Sequence, residues 1–337
     1  MAENVTREEV GWLYEVVTGG KDKPFVSSEP GSEGDVMASY LSEHGITLVP
    51  WDIEASSEDS SSVTSVPFKP LCRSIPRDYH PEADIPFTDY EDRSEAEDDL
   101  WSAQICSGDT VQFFYQWALA GRTLPRRHIC LMNFCGVHPI TFPNPFLRCC
   151  PSIGWHPPRG GHWDLFFLLE PEKQNTSSLP HIAVGAAQPE NARENSILYG
   201  ELAVILTVMN SRVNQPKVES EEEMESLFDE QQEVFEEICR KSPAFPNEQT
   251  FPLLLFSFVG PQHARILCAS MNQGRLIVRM SKLYSFEKRE KAPLELFTSW
   301  LFSRPAVECE ISVSLRESNF KSQQKLMPVS NRSGLQR

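Results

Sequence analysis

The chain has 337 residues, 40% of them hydrophobic and including 20 Phe and 7 Trp, enough for one large core or two modest ones. Its formal charge of −16 argues against phosphate backbones and anionic lipid surfaces, which draw their affinity from clustered Lys and Arg. Nine Cys, an odd number scattered among apolar residues, read as free thiols of a reducing compartment and not as a disulfide framework.

Residues 3–17 predict a short amphipathic helix with Thr6 as N-cap, Glu9 at the capping-box spacing and Gly19-Gly20 as the stop. Residues 35–44 predict a second helix closed by Gly45, and ITLVPW a strand after it. The Ser/Glu/Asp-rich stretches 55–65 and 82–99 hold too little apolar surface to offset the entropy of ordering, and predict surface linkers. DTVQFFYQWALA (109–120) predicts a helix and 127–136, around HICLMNFCG, a buried strand. A Pro-rich irregular loop follows at 139–158, then an apolar strand at 162–169.

Leu198, Leu202, Ile205 and Met209 fall at helical spacing and make 194–211 the strongest helix. Residues 219–240 predict another, whose acidic start suits the helix dipole. PLLLFSFV (252–259) predicts a buried strand, and 264–270 with 275–280 a β-hairpin turning at Asn272-Gln273-Gly274. Pro293 opens a helix over 293–302.

These elements predict an α+β protein: a mixed β-sheet with flanking helices. The expected organisation is a small N-terminal helical segment (1–50), an acidic linker (51–99), an α+β domain (100–318) and a disordered polar tail (319–337). No stretch reaches the roughly 20 apolar residues of a membrane span, and the charged start MAENVTREE lacks an apolar signal region. A cytoplasmic or nuclear location is expected.

The segment FPLLLFSFVGPQHARILCASMNQGRLIVRMSKLYSF, followed by PLELFTSWLFSRPA, resembles a family of uncharacterised proteins from filamentous fungi. RRHICLMNFCG and WDLFFLLEPE look like earlier blocks of the same family. The resemblance implies an intracellular fungal protein and carries over no activity and no catalytic residue.

Candidate chemistry lies in four places. The order helix, strand, hairpin, helix from 194 to 302 is compatible with a restriction-endonuclease-like core, in which Glu201 would be the helical carboxylate. Such enzymes hold a divalent metal on hairpin carboxylates, and here Ser270, Asn272 and Arg279 occupy those positions, with Met280 also preceding Lys282. A core of this kind is therefore expected to lack a catalytic centre. His162 and Asp164 have the His-x-Asp spacing of a facial iron triad, with His263 as distal ligand and Arg275 as a 2-oxoglutarate-binding arginine.

His128, Cys130, Cys135, His138, Cys149, Cys150, His156 and His162 bring zinc-type ligands into one stretch, without the tight pairs of a structural site. Finally, Arg265, Arg275, Arg279 and Lys282 lie on the hairpin and its exit, a candidate binding face for an anionic ligand or acidic partner. Charge guarding a strand edge is the simpler account of them.

Nucleotide-loop and hydrolase-elbow signatures are absent from the sequence. The expected function is a non-enzymatic accessory or interaction protein with a protein partner and no cofactor, its contact surface formed by the loop 139–158 and the basic hairpin. The alternatives are an Fe(II)/2-oxoglutarate-type oxygenase, a degenerate metal-dependent nuclease, and an accessory role in fungal secondary-metabolite biosynthesis.

Overall fold

A computed structural model of the chain describes residues 5–19, 34–55, 66–78, 85–91, 103–119, 131–150, 163–172 and 179–306. Helices α1 (Val5–Thr18) and α2 (Ala38–Glu43) lead into strand β1 (Ile46–Pro50). Strand β2 (Phe68–Lys69), α3 (Ser74–Asp78) and the long α4 (Ala103–Leu119) follow. Next come α5 (Leu131–Cys135), β3 (Val137–Pro139), α6 (Pro145–Cys149), β4 (Asp164–Pro171) and β5 (Ile182–Asn191). Helices α7 (Tyr199–Asn214), α8 (Glu221–Asp229) and α9 (Gln232–Lys241) precede β6 (Leu253–Gly260), β7 (His263–Asn272), β8 (Arg275–Met280) and β9 (Tyr284–Ser285). Helix α10 (Leu294–Leu301) and β10 (Arg304–Pro305) complete the set.

The main sheet runs β1-β8-β7-β6-β5-β4-β3, with β9 paired to β7, while β2 and β10 form a separate pair. Strands β1/β8 and β5/β6 are parallel, and the other pairs of the main sheet antiparallel. The fold is thus α+β, with a mixed sheet. Helices cover both faces. Leu253 and Leu255 of β6 enter the core shared with α1 and α7, whereas Leu254, Phe256 and Phe258 enter the core shared with α4 and α10. Alternating side chains meet apolar surface on either face, which is why β6 reads as an unbroken apolar run.

Several expectations change. Thr6 does not cap α1: it lies inside the helix, buried, and its hydroxyl donates to Gln249 Oε1 at 2.7 Å. Helix α4 begins at Ala103 instead of 109. The strand expected at 127–136 is a helix over its described residues, because Leu131 and Cys135 bury one α5 face and Gly136, at φ +64°, ends it before β3. The loop 139–158 contains α6, started by Pro145 and by Asn144, whose side chain accepts the Phe146 N–H at 2.9 Å.

The single helix expected over 219–240 is two, α8 and α9, separated by Glu230 and Gln231 in extended conformation. Within the N-terminal helical segment 1–50, Val10, Leu13, Val17, Leu41 and Ile46 share the α7-side core, and β1 joins the main sheet beside β8. Within 51–99, Trp51, Ile53, Phe68, Leu71, Ile75 and Ile85 enter the α4-side core. Residues 56–65, 92–99 and 319–337 lie outside the described residues. Among the described residues no helix is long and apolar enough to cross a membrane.

Strand β5 had no sequence expectation, although it joins the two halves of the sheet. Its small residues Ala183, Gly185, Ala186 and Ala187 mute the apolar pattern. A Cβ at Gly185 would stand 2.1 Å from the Phe167 ring, so Phe167 of β4 occupies the space that a side chain would take. Gly185→Ala should therefore destabilise the fold by about 1–3 kcal/mol in urea unfolding, with partial recovery in Gly185→Ala/Phe167→Leu. Equal instability of the single and double variants would exclude this packing.

His181, just before β5, is buried with Nε2 3.2 Å from the Pro67 carbonyl oxygen. Burial pushes its pKa down from 6.5 to about 4; the Pro67 carbonyl and Glu248 oppose this and Arg212 adds to it. Below pH 6.5 the unfolded chain binds a proton that the folded one refuses. The contribution is complete above that pH and is lost as pH falls toward 4. Urea unfolding should show on the order of 2 kcal/mol less stability at pH 5 than at pH 7, and His181→Gln should flatten that slope.

Candidate functional site

Helix α7 is pinned at both ends by buried guanidinium groups. At its start, Arg265 of β7 and Glu201 are both without solvent exposure. Arg265 Nε donates to Glu201 Oε1 at 2.7 Å, Nη2 to Oε2, and Nη1 to the Arg193 carbonyl at 2.9 Å. Glu201 Oε2 also accepts the Leu198 N–H at 2.9 Å, the reach-back contact of a carboxylate at the third helical position. At the other end, buried Arg212 donates to the carbonyls of Leu179, Pro180 and His181 and pairs with Glu170 of β4 at 2.9 Å.

Asp35 lies against the start of α7, its Oδ1 accepting from Ser196 Oγ at 2.8 Å. Burial raises its pKa against the opposing effects of Ser196 and Arg193. Glu201 and Asp35 are thus both engaged by partners within the chain.

The basic residues of the hairpin do not share one face. Arg265 follows the register of Leu267, Ala269 and Met271 into the α7-side core. Arg279 pairs with Cys268 and, with Arg275, points to the opposite side from Leu276 and Val278. Arg275 is exposed beside the turn, where Gln273 and Gly274 take φ of +48° and +79°. Lys282 stands beyond the end of β8, exposed.

The iron triad does not assemble over its described members. Asp164 faces Ala187, Ala187 faces Phe258 and Phe258 faces Ala264, so Asp164 and His263 are three strands apart, about 14 Å. No single ion reaches both. His162, His128, Cys130 and His156 lie outside the described residues. The zinc-type set is dispersed as well: Cys135 is in the α4-side core, Cys150 in the α7-side core, and Cys149 against a third cluster with Leu227, Phe235 and Cys239. Among the described residues no group of His, Cys, Asp and Glu is placed to hold a metal ion.

Lys282 instead borders a cavity of about 640 Å³ beyond the ends of the parallel strands β1 and β8. Asp52 and Glu54 after β1, Glu194 before α7, and Lys282 and Tyr284 after β8 are among the residues that line it. Lys282 Nζ lies 2.8 Å from Glu54 Oε1, which also accepts the Tyr284 hydroxyl at 3.1 Å. Glu194 Oε1 accepts the Leu283 N–H at 3.0 Å. Hydrogen bonds from Lys282 and Tyr284 hold the Glu54 carboxyl below its ordinary pKa, and Glu54 in turn raises Lys282. Burial, then Glu54, pushes the Tyr284 hydroxyl up.

The lining therefore carries three carboxylates against one ammonium; Lys282 and Glu54 neutralise each other, which leaves Asp52 and Glu194 in excess. Such a surface attracts cations, the reverse of the sign expected from the hairpin alone. Asp52, Glu54 and Glu194 were not among the sequence candidates. The available signal was their position: WDIE leaves a predicted strand, and Glu194 opens the strongest predicted helix.

Comparison with protein-family models, with curated proteins and with solved structures finds no match to this chain.

Removing one member of the α7 ion pair leaves a buried charge without its partner. Glu201→Gln and Arg265→Met should each destabilise the fold by about 3–5 kcal/mol in urea unfolding, and Glu201→Leu/Arg265→Met should recover most of that loss. Additive losses in the double variant would show that the two side chains act independently.

Proposed function

We propose that this protein is a non-enzymatic binding protein of the filamentous-fungal family its sequence resembles, acting through contact with a basic segment of a protein partner. The observation that carries the reading is the state of Glu201. Its carboxylate is enclosed by Arg265 and the Leu198 N–H, with no exposure to a metal or a substrate. On a nuclease-like reading of the α7–β6–β7–β8–α10 order, Arg265 consumes the carboxylate that such an enzyme would turn toward a divalent ion.

The second support is the cavity beyond β1 and β8. With Glu54 paired to Lys282, Asp52 and Glu194 leave an excess of negative charge there that favours an incoming ammonium or guanidinium. A chain of net charge −16 also attracts basic segments from a distance and speeds their encounter.

Fluorescence anisotropy with a labelled peptide of alternating Lys and Gly tests this, with the Glu/Gly peptide as control. The Lys/Gly peptide should bind, weaken as salt is raised, and lose about tenfold in affinity on Glu194→Lys, while the control stays free. Tighter binding of the acidic peptide would sink the reading. So would stoichiometric iron in the purified protein together with turnover lost on Asp164→Ala.

A further inference from the structure

A second concavity, of about 320 Å³, opens between α4 and the segment 85–91. Asp109, Gln112 and Gln116 line it from successive turns of α4, and Gln262, in the β6–β7 turn, lines it from the sheet. Phe87 and Phe113 add apolar surface, with ring centroids 4.5 Å apart. Gln262 is only 2% exposed. Its Nε2 donates to the Thr88 carbonyl at 3.1 Å, which fixes the orientation of the amide. Its Oε1 is buried and has no hydrogen-bond partner among the described residues. A buried amide oxygen without a donor carries a desolvation penalty that an N–H or O–H from outside would relieve.

We infer that this pocket accepts the guanidinium of an arginine side chain from the protein partner. The inference rests on the binding-protein reading above and names the group that anchors the partner. Guanidinium is planar, has five N–H donors and no acceptor, and stacks on aromatic rings. The pocket offers the complement: the orphaned Gln262 oxygen, the Asp109 carboxylate, the side-chain amides of Gln112 and Gln116, and apolar surface of Phe87 and Phe113.

Phe113 already attracts one guanidinium of the chain. Arg289, which is not among the pocket-lining residues, places its Cζ 5.9 Å from that ring centroid. A lysine ammonium, compact and strongly hydrated, does not reproduce the planar fork. Both concavities lie at the same end of the sheet: the Gln262 carbonyl accepts the Phe286 N–H at 2.7 Å, and Tyr284 of the same short stretch lines the acidic cavity. A basic segment crossing the acidic cavity can therefore set an arginine into this pocket.

The test uses the full isotope-labelled chain and Nα-acetyl-arginine methylamide, read by NMR at the side-chain amides of Gln112, Gln116 and Gln262. Saturable shifts at these three groups are expected. Asp109→Asn, on an exposed position, should weaken binding about tenfold without moving the urea midpoint, and the citrulline and lysine counterparts should bind about tenfold more weakly. No saturable shift at Gln262, unchanged affinity in Asp109→Asn, or equal binding of the lysine compound would each overturn the inference. If the Lys/Gly peptide binds at the Glu54 cavity while arginine leaves Gln262 unshifted, this pocket fails and the broader reading survives. If arginine saturates Gln262 and the peptide does not bind, the acidic cavity fails and the arginine pocket stands.

Discussion

Arg265 carries its charge into the middle of the protein and meets Glu201 there, with no water reaching either group. Two isolated charges at that depth would each cost several kcal/mol, so the arrangement depends on each guanidinium nitrogen and each carboxylate oxygen having a partner. The Arg193 carbonyl accepts a third guanidinium bond, and the Leu198 N–H donates a third bond to the carboxylate. That geometry fixes where α7 starts relative to β7, hence where Glu194 stands and where the acidic cavity opens. The buried Arg212 does the same at the far end of α7, tying it to the strand entry at 179–181 and to β4.

The same pair redistributes charge. With Arg265 withdrawn into the core and Lys282 held by Glu54, the exit of the β7–β8 hairpin presents little free positive charge. The carboxylates in excess, Asp52 and Glu194, then set the sign at the ends of β1 and β8. A run of basic residues in the sequence is thus compatible with an acidic surface in the fold. The sign of a site follows from which side chains find partners inside, and counting charges along a segment misses that.

Legibility followed the physics of each element. Strand β6, buried on both faces, and helix α7, with its regular apolar spacing, were readable because burial wrote itself into residue type. The β7–β8 hairpin was readable from Gly274, whose φ of +79° the turn requires. Strand β5 was not, because Phe167 fills the space above Gly185 and selects small residues there. Helix α5 was mistaken for a strand because a five-residue apolar run fits either state until Gly136 ends it. None of the three carboxylates at the acidic cavity stood out, since Glu194 lies on a different segment from Asp52 and Glu54 and only the fold brings them together.

By itself the sequence determined the α+β class, the double-sided burial of β6 and the hairpin, all of which depend on residues close in the chain. It also determined that the hairpin has no carboxylates at Ser270, Asn272 and Arg279. Only the tertiary structure decided that Arg265 is an interior ion-pair partner and not a surface contact. Strand parity sends it to the opposite face from Arg275 and Arg279, and Glu201, 64 residues away in sequence, meets it there. Which charges remain at the surface is a property of long-range pairing, and no local pattern encodes it.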